Sequence, residues 1–201
     1  LNEVIEFNAP SIKLNLDWFD FHKSITKTYG NLFEERFGSP ATHNDIKKDS
    51  KKFQWFADIA SSAQMVTETI INDTISWAMD KTCLNNVTVS GGVAQNCVAM
   101  RSASFIKNLV SFTVPPSPGD SGAAIGAANF ASIIYNGKPI KISKIAFGRP
   151  FLGPKVNIFN DLFEKIDNPN FYQAAASLID KGEIICTYIS GNEIGPRALG
   201  H

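Results

Sequence analysis

The chain has 201 residues, 44% of them apolar, with 19 basic and 19 acidic side chains. That length holds one domain, or one domain and part of a second, with enough apolar material for a packed core. A formal net charge of zero supplies no general pull toward nucleic acid or an anionic membrane, so neither is an expected partner. Asp45 and Asp49 interrupt the lysine cluster of Lys47, Lys48, Lys51 and Lys52, which reads as a solvated loop. The three cysteines, Cys83, Cys97 and Cys186, are widely spaced and form no CxxC pair. A disulfide framework or zinc knuckle is therefore not expected, and the expected compartment is the reducing cytoplasm. No apolar run has membrane-spanning length. Leu1 in place of Met, and a motif running into His201, lead to the expectation of a fragment.

In chain order, β-branched and aromatic residues at 4–7 and 12–21 flank Asn8, Ala9, Pro10 and Ser11, which predicts a hairpin or two short strands. Leu14, Leu16 and Trp18 alternate with polar residues, as a strand would. A polar loop occupies 37–52, and apolar residues at three- and four-residue spacing predict a long helix over 54–81. A strand is expected at 87–89, a turn at Ser90, Gly91 and Gly92, and a helix over 94–108. A second strand at 111–114 leads into a turn at 119–121 and a small-residue helix over 122–135, whose slim face suits close packing. The order helix, strand, turn, helix, strand, turn, helix gives the fold class α/β. Pro and Gly over 137–154 predict a linker, with Ile140 and Ile142 as candidates for a short strand. Helices are expected over 159–166 and 172–180, and a strand over 183–189.

Three motifs carry chemistry. In the first, a strand ends in Gly91 and Gly92 and a helix is expected at once; glycine lets a ligand approach without a Cβ, and unpaired N–H groups at a helix start suit a phosphate. Asn96 offers both an amide donor and an acceptor to a nucleotide. The bland alternative is a tight turn whose glycines serve packing alone. The second motif repeats the plan with Gly119, Asp120 and Gly122. There Asp120 could cap the helix, bind a divalent metal or hold a ribose hydroxyl. In the third, Arg197 follows Gly195 and Pro196, a rigid turn from which an Arg can grip phosphate or carboxylate; a solvated surface Arg is the alternative.

The strings SGGVAQNCVAMRSA at 90–103, VPPSPGDSGAAIGAA at 114–128 and GNEIGPRALGH at 191–201, in this order, resemble the O-carbamoyltransferase family of nodulation-factor, cephalosporin and aminoglycoside carbamoyltransferases. Weaker echoes are Leu16 to Phe19, the 58–64 stretch with Glu68, and the Phe151-Leu152-Gly153-Pro154 segment.

The resemblance implies the second lobe of an actin-like (ASKHA) nucleotide-binding domain at 1–136, an interdomain linker at 137–154 and the start of a YrdC-like domain at 155–201. It implies ATP as cofactor, with Gly91, Gly92, Asn96, Gly119 and Gly122 at the nucleotide. It implies a divalent metal, Fe(II) by expectation, with Asp120 as one ligand and the others outside this chain, and Arg197 as a phosphate-binding catalytic residue. The substrates would be carbamoyl phosphate and a hydroxyl-bearing small molecule or sugar, joined through carbamoyl-adenylate; a homodimer is compatible with this, and the fragment alone would be inactive.

The sequence departs from the family where a paired-histidine metal motif is expected, since His22, His43 and His201 share no ligand spacing, and where Ser39 to Thr42 replace a Pro-Arg pair. The rival readings are a tRNA threonylcarbamoyl transferase-like actin-fold protein, a relative of the hydrogenase-maturation carbamoyltransferase, and a non-catalytic nucleotide-binding module.

Overall fold

Residues 3–141, 146–147, 170–186 and 192–198 are described by the structure, a computed structural model. The chain divides into two units, Leu1–Pro115 and Pro116–His201.

The first unit opens with an antiparallel hairpin of β1 (Ile5–Asn8) and β2 (Ser11–Leu14), paired Ile5 to Leu14 and Asn8 to Ser11. The alternation at Leu14, Leu16 and Trp18 does not continue as a strand. Asn15 breaks it: its Oδ1 accepts the Asp17 N–H at 3.1 Å and its Nδ2 donates to the Glu3 carbonyl at 3.1 Å, so Leu16–Trp18 winds into a 3-10 turn. The turn carries Trp18 inward to 6% exposure, edge-on to Phe33 at 5.2 Å. Phe33 and Phe37 lie one helical turn apart on α1 (Asn31–Phe37), a short helix not among the expected elements, whose last residue was expected to open the polar loop.

The long helix α2 runs Phe53–Thr82, as its apolar spacing predicts, and ends on Cys83 in the left-handed region. Beyond it, β3 (Asn86–Thr88) and β4 (Ser111–Thr113) pair in parallel, Val87 opposite Phe112. The helix between them, α3 (Cys97–Ala103), is much shorter than the 94–108 span expected. Asn96 adopts extended backbone at φ −77 and ψ 92, which separates a 3-10 turn at Gly92–Gln95 from α3.

Ile75, Met79 and Ala103 form one buried cluster, against Ile71, Val87 and Phe112. Ala94, Ala99 and Met100 form a second, against Ile71, Val89 and Val114. Ala99 and Ala103 are fully buried, and their small side chains let α3 approach its neighbours. Two side-chain bridges tie α3 to α2: Gln64 with Asn96, and Asn72 Nδ2 to Ser102 Oγ at 2.9 Å.

In the second unit a 3-10 turn at Asp120–Gly122 precedes α4 (Ala123–Asn136), which stops at Gly137 in the left-handed region, φ 69. No residue of α4 is buried among the described residues, and Phe130, Ile134 and Tyr135 are exposed. No strand forms at Ile140, because its N–H donates to Asn129 Oδ1 at 2.7 Å, folding the chain back on α4; Ile142 lies outside the described residues.

A short antiparallel pair joins β5 (Ala146–Phe147) to β6 (Asn192–Glu193), and α5 spans Phe171–Asp180. Residues 183–186 are not a strand, while 187–189 and the helix expected over 159–166 lie outside the described residues. The architecture is mixed α/β, and among the described residues no helix is long and apolar enough to cross a membrane.

Candidate functional site

Because β3 and β4 run parallel, their carboxyl ends share one edge, the place where α/β folds gather ligands. The first motif sits there. Gly91 has φ 104 and ψ 167, a conformation that side chains disfavour. Gly92 has no positive φ, and a Cβ on either glycine would meet nothing within 4 Å. Packing inside this unit therefore does not account for the pair. The N–H groups of Ser90, Gly91, Gly92 and Val93 donate to no other described residue, and all four residues are exposed. Successive backbone donors without a partner among the described residues are a chemistry that can bind an anion.

Asn96 is more committed than its sequence suggests. Its Oδ1 accepts the Ala99 N–H at 3.1 Å, capping α3, and also accepts from Gln64 Nε2 at 3.3 Å. Its Nδ2 donates to Gln64 Oε1 at 2.8 Å. Both acceptor positions are used, so a ligand would meet a single remaining N–H in place of the donor and acceptor expected. The cap also removes one of the free donors foreseen at a helix start, and a seven-residue α3 carries little dipole. Free donors sit instead in the turn before it.

In the second unit, Ser117 is buried and its hydroxyl is paired with that of Ser121. The Gly122 N–H donates to the Gly119 carbonyl at 2.9 Å, and a Cβ on Gly122 would collide with the Ser117 carbonyl oxygen. Gly122 is thus fixed by packing. Asp120 is exposed, and its carboxylate has no hydrogen bond or ion pair among the described residues. Gly122 is the N-cap of α4 and no side chain caps that helix, so the capping role open to Asp120 is not used. Among the described residues no three His, Cys, Asp or Glu side chains converge; a lone exposed carboxylate does not by itself fit a metal centre.

The third motif lies against the second within this unit: Gly195 has φ 145, and a Cβ on it would stand 3.1 Å from the Pro116 carbonyl oxygen. Arg197, two residues on, is exposed and has no ion pair among the described residues.

Residues 1–129 match the family model described as the carbamoyltransferase N-terminus. The chain belongs to the carbamoyltransferase family. An uncharacterized protein of Synechocystis is 27% identical over the whole chain, which covers 34% of that relative. Nodulation protein NolO of Bradyrhizobium diazoefficiens is 25% identical over 83% of the chain and 32% of its own length. Nodulation protein U of Azorhizobium caulinodans is 28% identical over 71% of the chain and 25% of its own length. This carbamoyltransferase chain thus spans about a third, or less, of the length of these curated relatives.

Two features of the carbamoyltransferase chain were not assigned roles from its sequence. One is the link from Gln64 to Glu68 and Asn96, foreshadowed only by the resemblance of the long helix to the family. The other is an apolar cavity of about 580 Å³ in the first unit, walled by Phe19, Phe21, Tyr29, Phe33, Phe37 and Phe56. Glu34 is the only charged side chain in its wall, so it is no place for a polyphosphate. The paired aromatic spacing at Phe19 with Phe21 and Phe33 with Phe37 is the signal that could have found it.

Proposed function

We propose that this chain is part of an ATP-dependent O-carbamoyltransferase. The reaction takes a carbamoyl group from carbamoyl phosphate, through carbamoyl-adenylate, to a hydroxyl of a small molecule or sugar. The chain would supply one lobe of an actin-like nucleotide site and the opening of a YrdC-like domain. Family membership supports carbamoyl transfer as the chemistry.

The observation that carries the nucleotide role is the exposed Gly91–Gly92 turn, with four N–H donors that have no partner among the described residues and open space where a Cβ would stand. Those donors would bind phosphate oxygens of ATP, while the glycines admit the phosphate at backbone distance. Asn96 would add one N–H. Gly119 and Gly122 would shape the Asp120 turn. Asp120 would enter only as one ligand of a divalent metal centre, Fe(II) by family resemblance, completed by groups outside this chain. Arg197 would offer its planar guanidinium to a phosphate or carboxylate oxygen pair.

ATP binding by the full-length protein tests the assignment. Gly92→Val places a branched side chain over the donors without touching the fold of this unit. It should weaken ATP about tenfold or more, a loss of roughly 1.4 kcal/mol. A Gly92→Val protein that binds ATP as tightly as the parent overturns the assignment.

A further inference from the structure

We propose that Gln64 is a positioning residue for the glycine turn, held in one amide orientation by Glu68 and passing that orientation to Asn96. Gln64 Nε2 donates to Glu68 Oε1 at 2.9 Å and to Asn96 Oδ1 at 3.3 Å, while Gln64 Oε1 accepts from Asn96 Nδ2 at 2.8 Å. A carboxylate can only accept, so an ionised Glu68 requires the nitrogen of Gln64 to face it. With that settled, Gln64 presents its second N–H and its oxygen to Asn96, whose amide must answer with oxygen and nitrogen respectively.

The far end of the row fixes the same polarity independently. The backbone N–H of Ala99 can only donate, and it meets Asn96 Oδ1 at 3.1 Å. An acceptor-only group at one end and a donor-only group at the other thus agree on the orientation of both amides between them. All of these side chains are half-buried or flank half-buried ones, where a misoriented amide would face like against like.

The row spans from α2 to the first turn of α3, immediately after the 3-10 turn that holds Gly92. It anchors the downstream end of the glycine turn to the long helix. It also leaves Asn96 with one uncommitted valence, an Nδ2 hydrogen, so the ligand atom that meets Asn96 must be an acceptor. The consequence for ATP rests on the nucleotide role proposed above; the orientation of the amides does not.

Gln64→Glu is nearly isosteric and puts an acceptor where two donors stood. In the full-length protein it should raise the KM for ATP about tenfold with kcat held, the factor expected from losing one or two hydrogen bonds of ordinary strength. The Asn96 side-chain amide signals should shift or broaden in NMR spectra, and the Ala99 amide should exchange faster. Adding Glu68→Gln to Gln64→Glu returns a donor to face residue 64, while a carboxylate oxygen still meets Asn96 Oδ1, so both readouts should recover in part. Unchanged Asn96 signals and Ala99 exchange in Gln64→Glu would overturn the relay. So would a double variant no better than the single one, or an altered amide pattern with an unaltered KM for ATP. If the parent protein binds no ATP, the nucleotide role fails while the amide signals and the rescue still decide the relay.

Discussion

Gly195 and Pro116 stand against each other across most of the second unit's sequence: a Cβ on Gly195 would lie 3.1 Å from the Pro116 carbonyl oxygen. The contact brings the Arg197 loop beside the segment that leads to Asp120. Gly195 also has φ 145, where an L side chain is strained. Gly195→Ala should destabilise the second unit by about 1–3 kcal/mol. Faster amide exchange at residues 116–122, compared with the parent protein, is the measurement that checks it.

Gly122 and Gly126 lie four residues apart and should respond with opposite signs. A Cβ on Gly122 collides with the Ser117 carbonyl, which belongs to backbone and cannot swing aside. Gly122→Ala should therefore cost about 1–3 kcal/mol. Gly126 sits inside α4 with nothing within 4 Å of its Cβ position. Gly126→Ala should stabilise by about 0.5–1 kcal/mol through helix propensity. Denaturant unfolding of the two variants, side by side, gives both signs in one experiment.

Asp120 is exposed, uncapping and unpaired among the described residues, so Asp120→Asn should leave the unfolding midpoint where it is. Carbamoyl transfer by the full-length protein should fall sharply if this carboxylate holds a metal. Full transfer activity and unchanged metal content in Asp120→Asn would remove Asp120 from the metal site.

The Asp45 carboxyl is held below its ordinary range. The Thr42 hydroxyl is the largest cause, followed by the Thr42 backbone N–H and the Lys52 charge. The distances are 2.7 Å from Thr42 Oγ1, 3.0 Å from Thr42 N and 3.4 Å from Lys52 Nζ. A depressed folded-state pKa gives stability that is present above the unfolded value and lost as pH falls through the folded one. The Asp45 side chain is 19% exposed but its partner Lys52 lies in solvent, so the contribution is small. Thr42→Val should move the Asp45 titration upward toward an ordinary aspartate, as followed by NMR of its carboxyl carbon.

The isolated chain should not make carbamoyl-adenylate. It spans about a third of its curated relatives, and ligation needs reacting groups converging within hydrogen-bond reach. Incubation with ATP and carbamoyl phosphate should yield no pyrophosphate above background; sustained release would show that this chain holds the whole site.

The sequence alone determined what local periodicity and backbone chemistry can encode. The helix at Phe53–Thr82 follows from its apolar spacing, and the two strands follow from short β-branched runs, one passing through Ser90 into Gly91 and the other through prolines to Gly119. The family too was legible, because its motifs are strings of consecutive residues. Tertiary structure decided whatever depends on partners far along the chain. Trp18 left its strand pattern because Asn15 bonded the local backbone and Phe33 offered a ring to pack on. Asn96 lost its acceptor role because Gln64, 32 positions earlier, and the Ala99 N–H had already taken both lone pairs. Asp120 lost its cap role because Gly122 docks on Ser117 and starts the helix two residues later. A residue's type states which bonds it can make, and only the fold states which of them are already made.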